Sequence, residues 1–221
     1  MQSNFSVTEE NYIKAVYHLQ QASGSVTTNE LSAKLVTTPA SVTDMLKKLK
    51  AKGLLFYEPY KVFYLSPIGN KIALEIIRRH RLWECFLVEK LAFGWDEVHE
   101  VAEELEHVGS KKLVDKLDQF LDFPKFDPHG DPIPDCNGQM SSVEQVSLAE
   151  LPIGQTAQVT SVSNQSTDLL ELLGHKHINI GTRLEVMAKF SFDNSIEVKI
   201  KELQPLNISE QLARVLFVKT L

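Results

Sequence analysis

The chain has 221 residues, 24% of them charged, and a formal net charge of −6. This composition is ordinary for a globular protein, and no apolar run reaches the roughly 20 residues that a membrane span needs. The two cysteines, Cys85 and Cys136, form no motif, and the N-terminus lacks the basic region, apolar run and cleavage site of a signal peptide. We therefore expect a cytoplasmic protein without a membrane segment.

The charge is unevenly distributed along this acidic chain. Residues 1–66 hold seven lysines against five acidic residues, whereas 67–123 and 124–221 each hold eight basic and twelve acidic residues. A basic surface is the electrostatic requirement for contacts with nucleic-acid phosphates. Any DNA-binding part is therefore expected in the first third.

The first third shows the pattern of a helix-turn-helix. Thr8 is predicted to cap a first helix that ends near Gly24, and Thr27 with Glu30 has the capping-box pattern that opens a second helix. After a short break, a third helix is predicted over residues 39–52. The apolar residues of this helix recur at helical spacing and predict a core-facing side: Val42, Met45, Leu46 and Leu49.

The opposite side of the third helix carries small hydroxyl residues at its start and lysines further along. Such a helix fits the major groove with its first turn while its lysines reach phosphates. Two β-rich runs, 54–57 and 62–65, then predict a hairpin, or wing, so residues 1–66 are interpreted as a winged helix-turn-helix domain. The residues predicted to contact DNA are Thr38, Pro39, Ser41, Asp44, Lys47, Lys48 and Lys61.

Residues 67–123 are predicted to form three amphipathic helices. A long helix starts after Ser66 and runs to about Ala92, a second covers about 95–108, and Ser110 caps a third that ends before Pro124. Three such helices beside a DNA-binding unit indicate a dimerisation domain. A two-fold dimer can then read two half-sites about 34 Å apart.

The second of these helices carries four potential metal ligands. At about 100° per residue their side chains fall within roughly a 100° arc, so one face presents two imidazoles and two carboxylates. Neighbouring carboxylates repel each other unless a cation lies between them. A mixed shell of this kind suits Mn²⁺, Fe²⁺, Co²⁺ or Zn²⁺, and its oxygen ligands favour Mn²⁺. The four residues are His99, Glu103, Glu106 and His107, and the pair His80 and Glu84 lies upstream.

The last part of the chain changes in character. Residues 124–150 are rich in proline and lack periodicity, which predicts a linker or an extended surface segment with His129 as a turn residue rather than a ligand. Short β-runs follow and predict a small SH3-like barrel in 151–221. The predicted elements are strands at 156–162, 183–188, 195–200 and 211–218, and a helix at 168–173.

Taken together, the motifs resemble the diphtheria-toxin-repressor family of metal-dependent transcriptional regulators, including its manganese-transport branch. The resemblance implies a multidomain, mainly α protein with a winged helix-turn-helix, a helical dimerisation domain and a C-terminal SH3-like domain of the FeoA type. The motifs are Glu10-Asn11-Tyr12-Ile13, Pro39-Ala40-Ser41-Val42-Thr43, His80-Arg81-Leu82-Trp83-Glu84, Val98-His99 through Glu106-His107-Val108, and Pro128-His129-Gly130-Asp131-Pro132-Ile133-Pro134.

The resemblance also implies two metal ions per subunit. The chain departs from the family pattern at Asn11, where members place Met or Asp. It has Glu103 where iron-type members place Cys and manganese-type members place Glu; this hard carboxylate favours Mn²⁺, with Fe²⁺ as the alternative. By resemblance, a primary site would use Asn11, Glu103, Glu106 and His107, and an ancillary site would use His80, Glu84 and His99.

Three functions are compatible with these patterns. The leading hypothesis is a homodimeric repressor, activated by Mn²⁺ or Fe²⁺, that binds operator DNA and controls metal-uptake genes. A metal-dependent hydrolase using the same ligands is the enzyme alternative, although the sequence offers no separate nucleophile or acid–base group. A winged-helix regulator that responds to an organic effector is the third. Operator binding with and without Mn²⁺ separates them.

Overall fold

The computed structural model describes residues 5–58, 61–163, 165–201 and 203–221. The chain forms two compact units, each assembled from several segments. Unit 1 comprises Met1–Trp83, Glu103–Asp122 and Pro134–Gln139, and unit 2 comprises Glu84–Ala102, Phe123–Ile133 and Met140–Leu221. Among the described residues, no helix combines the length and hydrophobicity needed to span a lipid bilayer.

Unit 1 begins with three helices whose starts are fixed by side-chain caps. Ser6, not the predicted Thr8, caps the first helix, because Ser6 Oγ accepts the Glu9 N–H while the Glu9 carboxylate accepts the Ser6 N–H. The predicted capping box of Thr27 and Glu30 is confirmed. The helices are α1 (Val7–Ser23), α2 (Thr28–Lys34) and α3 (Pro39–Ala51).

The core of unit 1 contains the side of α3 predicted from its periodicity. Val42, Leu46 and Leu49 are fully buried, while Met45 is only partly buried. The wing is present but shorter than predicted, with β1 (Leu55–Phe56) antiparallel to β2 (Tyr64–Leu65). It is short because Phe63 exchanges its backbone hydrogen bonds with Val26, before α2. Residues 59 and 60 of the predicted turn lie outside the described residues.

Three further helices follow, as predicted: α4 (Pro67–Leu91), α5 (Val98–Leu105) and α6 (Lys111–Phe120). The predicted bounds of α5 were wrong, because the helix ends at Leu105 and leaves Glu106 and His107 in the turn that follows. At this end the carbonyl oxygen of Glu106 accepts a hydrogen bond from Arg79 Nε at 2.5 Å. The guanidinium thus satisfies a carbonyl beyond the helix.

The C-terminal part of unit 2 is a six-stranded antiparallel sheet, which agrees with the predicted small β domain. The strand expected at 211–218 begins as a helix instead, because Ser209 Oγ accepts the Leu212 N–H and caps it. In sheet order the strands are β3 (Val146–Ser147), β8 (Leu216–Thr220), β4 (Thr156–Val162), β5 (Arg183–Lys189), β6 (Ile196–Lys199) and β7 (Leu206–Ile208), and the helices are α7 (Thr167–His175) and α8 (Glu210–Val215).

Candidate metal centres

Unit 1 contains a network of charged side chains centred on Glu106, which is completely buried. Its Oε2 atom lies 2.7 Å from Lys14 Nζ and 2.7 Å from His80 Nδ1. The same Lys14 ammonium lies 2.5 Å from Glu103 Oε1. Thus α1, α4, α5 and the turn after α5 each supply one member of the network.

The imidazole of His107 is oriented by a carboxylate on α1. Its Nδ1 lies 2.6 Å from Glu10 Oε2, and Glu10 Oε1 accepts a hydrogen bond from Arg79 at 3.0 Å. A carboxylate only accepts, so Nδ1 carries the proton and, in the neutral ring, Nε2 presents its lone pair. A histidine held in this way is the usual arrangement of a metal ligand. Sequence reasoning missed Glu10, although it directly precedes Asn11.

Two oxygen atoms of the predicted primary site are candidates for contact with a cation. Asn11 Oδ1 and Glu106 Oε1 are buried and have no hydrogen-bond partner among the described residues. Burial without a partner costs about 1–3 kcal/mol per group. Glu106 Oε1 lies 3.8 Å from His107 Nε2. Two ligands about 2.1 Å from one ion lie about 3.0–4.2 Å apart at angles of 90–180°, so this separation suits a shared metal.

A second cluster lies in unit 2 around Glu84, which is also completely buried. Glu84 Oε1 lies 3.2 Å from His99 Nδ1, and Oε2 lies 3.8 Å from His129 Nδ1. His129 Nε2 lies 2.7 Å from the carbonyl oxygen of Trp95, so Nε2 carries a proton. Its Nδ1 is buried without a hydrogen-bond partner among the described residues.

Asp127 completes the second cluster. Its Oδ1 accepts the N–H groups of His129 at 2.8 Å and Asp131 at 2.9 Å, which fixes the turn that carries His129. One ligand atom from each of Glu84, Asp127 and His129 lies within 4.8 Å of the others. Two carboxylates and an imidazole in a buried site form a donor set for a divalent metal.

The pKa of His129 is raised, which indicates that this site favours positive charge. Burial alone would lower the pKa, but the carboxylates of Glu84 and Asp127 outweigh burial and raise it above its usual value. The two carboxylates therefore favour a positive charge at this position, which a proton on His129 supplies and which a metal ion in its place would also supply.

Within unit 1, His80 hydrogen-bonds with Glu106, and within unit 2 Glu84 contacts His99. The ancillary set of His80, Glu84 and His99 stays a prediction. His129 lies in a turn, as predicted, and it is also completely buried beside carboxylates, which makes it a candidate ligand that the sequence did not indicate. The sequence signal available for this role was the placement of His129 two residues after Asp127.

The predicted DNA-contacting residues lie at the surface of unit 1. Thr38 caps α3 by accepting the Ser41 N–H at 3.2 Å, and Lys47 pairs with Asp44 at 3.1 Å. Lys48 Nζ lies 3.2 Å from Glu9 on α1, so this lysine also links α3 to α1. The side chains of Thr38, Pro39, Ser41, Asp44, Lys47, Lys48 and Lys61 are all exposed.

Glu9 is held ionised by the lysines of α3 and its C-terminal cap. Lys52 Nζ lies 2.6 Å from the same oxygen that faces Lys48. Burial would raise the pKa of Glu9, but hydrogen bonds from Lys52, from the Ser6 N–H and from Lys48 together lower it to about 2. This ion pair fixes the C-terminal end of α3 against α1.

A winged helix-turn-helix joined to helices that carry a carboxylate and imidazole shell defines a metal-dependent, DNA-binding transcriptional repressor rather than an enzyme. Family models agree along the chain. The N-terminal DNA-binding domain of iron-dependent repressors matches residues 4–62, their metal-binding and dimerisation domain matches 66–135, and the FeoA domain matches 146–220. The chain belongs to the diphtheria-toxin-repressor family, which includes the manganese regulators.

Individual relatives support this assignment. The iron-dependent repressor IdeR of Mycobacterium leprae (strain TN) is 28% identical over 159 residues, 69% of each chain. The HTH-type transcriptional regulator MntR of Bacillus pumilus (strain SAFR-032) is 31% identical over 114 residues, which are 52% of this chain and 78% of the relative.

Solved structures extend the similarity to nearly the whole chain. A manganese-dependent transcriptional repressor in complex with manganese has a TM-score of 0.85 at 31% identity, covering 96% of this chain and 100% of its own. ScaR with bound Cd²⁺ has a TM-score of 0.79 at 30% identity, covering 96% and 99%. The predicted fold class and family are confirmed.

Proposed function

We propose that this chain is a homodimeric repressor that binds operator DNA when it holds Mn²⁺, with Fe²⁺ as the alternative, and that it controls metal-uptake genes. The observation that carries this proposal is the pair of buried oxygens without partners, Asn11 Oδ1 and Glu106 Oε1, in the network that holds His107. We divide the chain into a DNA-binding domain (1–66), a dimerisation domain (67–123), a connecting segment (124–150) and an SH3-like domain (151–221).

The proposal includes two metal ions per subunit. The carboxylate at Glu103 supports Mn²⁺ as the activating ion, because hard oxygen ligands suit it better than thiolate does. When bound, a divalent ion supplies the positive charge that the buried carboxylates need. We assign the first centre to Asn11, His80, Glu103, Glu106 and His107, and the second to Glu84, His99, Asp127 and His129.

Metal and DNA binding are coupled through α1. Asn11 on α1 and His107 after α5 would share one ion, so occupancy fixes α1 relative to the dimerisation helices. Because α1 packs in one core with α3, this also fixes the recognition helix. Any effect of metal on DNA affinity must equal the effect of DNA on metal affinity.

Exposed apolar side chains in unit 1 support the homodimer. Ile68, Val108, Leu113 and Phe120 are each 41–63% exposed, and apolar side chains of this size are typical of protein interfaces. A two-fold dimer that buries these side chains would place two recognition helices one DNA turn apart.

The decisive experiment titrates operator binding with Mn²⁺ for the wild type and His107→Ala. We expect His107→Ala to lose metal-activated binding while its helical circular dichroism is retained, since it removes a ligand and no core contact. His175→Ala, at an exposed position in α7, is the matched control and should behave as wild type. Unchanged Mn²⁺ activation in His107→Ala would refute the first centre.

The DNA-binding face is tested by salt dependence. Lys47→Ala and Lys48→Ala should each weaken binding to all sequences and lower the salt slope by about one unit per phosphate contact, while Ser41→Ala should act mainly on the specific site. Salt slopes equal to wild type in both lysine variants would remove the phosphate contacts from the proposal.

A further inference from the structure

We propose that Lys14 is an internal cation that competes with the activating metal for the first centre and thereby weakens metal binding. This inference rests on the proposed metal centre and concerns a residue that supplies no ligand. The Lys14 side chain is only 13% exposed, and its ammonium lies 2.5 Å from Glu103 Oε1 and 2.7 Å from Glu106 Oε2. It thus bridges the two carboxylates assigned to the metal.

The competition follows from geometry. A carboxylate oxygen lies about 2.0–2.2 Å from a bound transition metal, closer than the 2.5 Å and 2.7 Å contacts of the ammonium. Glu103 Oε1 cannot accept a short hydrogen bond from Lys14 and coordinate a metal in the same direction. The ammonium would also lie close to a divalent ion in a poorly solvated site, where repulsion between cations is strong. A metal bound by both carboxylates therefore displaces Lys14.

Charge balance gives the same result. Glu10, Glu103 and Glu106 contribute three negative charges, and Lys14 with Arg79 contributes two positive charges through the contacts described above. Without metal these five side chains carry a net charge of about −1, from three negative and two positive charges. A divalent ion added beside Lys14 leaves an excess of one positive charge, whereas an ion that replaces Lys14 makes the group neutral. Replacement is therefore favoured over addition.

Lys14 thus has opposite effects in the two states of the protein. In the metal-free protein it neutralises the buried Glu106 and ties α1 to the turn after α5. In the metal-bound protein Lys14 no longer contacts the two carboxylates. The free energy needed to break these ion pairs reduces the free energy of metal binding. A lysine here raises the metal concentration at which the repressor responds.

The test compares wild type, Lys14→Met and Lys14→Arg by isothermal titration with Mn²⁺ and by thermal unfolding in chelator and in saturating Mn²⁺. We expect Lys14→Met to bind Mn²⁺ at least about tenfold more tightly, which corresponds to about 1.4 kcal/mol. Its melting temperature should fall in chelator, and Mn²⁺ should raise it by more than in wild type. Lys14→Arg keeps the cation and should remain close to wild type.

Lys52→Met is the matched control, because Lys52 also pairs with a buried carboxylate, Glu9, but away from the proposed ligands. It should lower the melting temperature equally in chelator and in Mn²⁺ and leave the Mn²⁺ affinity unchanged. A purely structural role of Lys14 would give Lys14→Met this same behaviour and would overturn the inference.

A measurement on the wild type remains decisive if a variant fails to fold. Acetylation of lysines followed by mass spectrometry should show Lys14 protected in chelator and several-fold more reactive in Mn²⁺, with Lys52 as the internal reference. Equal Lys14 labelling in both conditions overturns the inference. If wild type binds Mn²⁺ but Lys14→Met binds it no more tightly, the inference fails and the proposed function stands; if neither protein binds Mn²⁺, both fail.

Discussion

Gly130 carries the most specific steric prediction in unit 2, because it lies next to His129 and against β4. Its φ is +86°, and a Cβ at this position would lie 1.8 Å from the Thr160 carbonyl oxygen and 2.8 Å from the Ser161 Cα. Both neighbours are backbone atoms, so no side-chain rotation relieves the clash. Gly130→Ala must therefore move the turn away from β4.

The expected cost has two parts. An alanine at positive φ costs about 1–2 kcal/mol. Moving the turn also disrupts the hydrogen bond from the Val162 N–H to the His129 carbonyl (3.3 Å) and the contact of His129 Nε2 with the Trp95 carbonyl (2.7 Å). At about 1–3 kcal/mol for each of the two buried groups left unpaired, the total is about 3–8 kcal/mol.

Gly154→Ala is the matched control. Gly154 has φ +80° in the same unit, but a Cβ there meets nothing within 4 Å, so only the backbone cost applies. At about 2–4 °C per kcal/mol for a chain of this size, the melting temperature in chelator should fall by about 2–8 °C for Gly154→Ala and by about 6 °C or more for Gly130→Ala. Equal losses in the two variants would show that the turn is not held against β4.

Asn11→Asp should bind Mn²⁺ more tightly in calorimetry and unfold at a lower temperature in chelator, because it places a charge where a buried amide oxygen has no donor among the described residues; weaker Mn²⁺ binding would remove Asn11 from the first centre. Glu103→Cys should shift operator activation from Mn²⁺ towards Fe²⁺ and Co²⁺, since thiolate is the softer ligand. An unchanged order of metals would show that this position does not set the preference. In a thiol-reagent assay on the folded protein, exposed Cys136 should react rapidly and buried Cys85, whose pKa burial raises, should not. Two rapid thiols would contradict the burial of Cys85.

The winged helix could be predicted because its signals are local. The side of α3 that carries Val42, Leu46 and Leu49 repeats at helical spacing, and the Thr27 capping box needs only two residues three positions apart. Ser209 provides the same kind of signal for α8. Its neighbours Leu212 and Leu216 are compatible with either a helix or a strand, and the capping hydroxyl decides between them.

The composition of the candidate metal centres could be predicted only in part, because the contacts that the sequence did not indicate join distant parts of the chain. Spacing identified Glu103, Glu106 and His107, although the last two lie beyond the end of α5. Nothing local shows that Lys14 meets residues 103 and 106, which are 89 and 92 positions away. The burial of His129 likewise depends on packing against β4, which the proline-rich sequence around it does not encode by periodicity.

The adjacent residues Glu9 and Glu10 connect α1 to two different sets of side chains. Consecutive side chains on a helix point about 100° apart, so Glu9 reaches Lys48 and Lys52, while Glu10 reaches His107 and Arg79. The two sets of contacts are separated by one residue, a rise of about 1.5 Å. A rotation of α1 would therefore move both sets of contacts together. Loss of the Glu9 carboxylate, which contacts lysines and no proposed ligand, should weaken the coupling between metal and DNA binding while leaving the metal affinity intact.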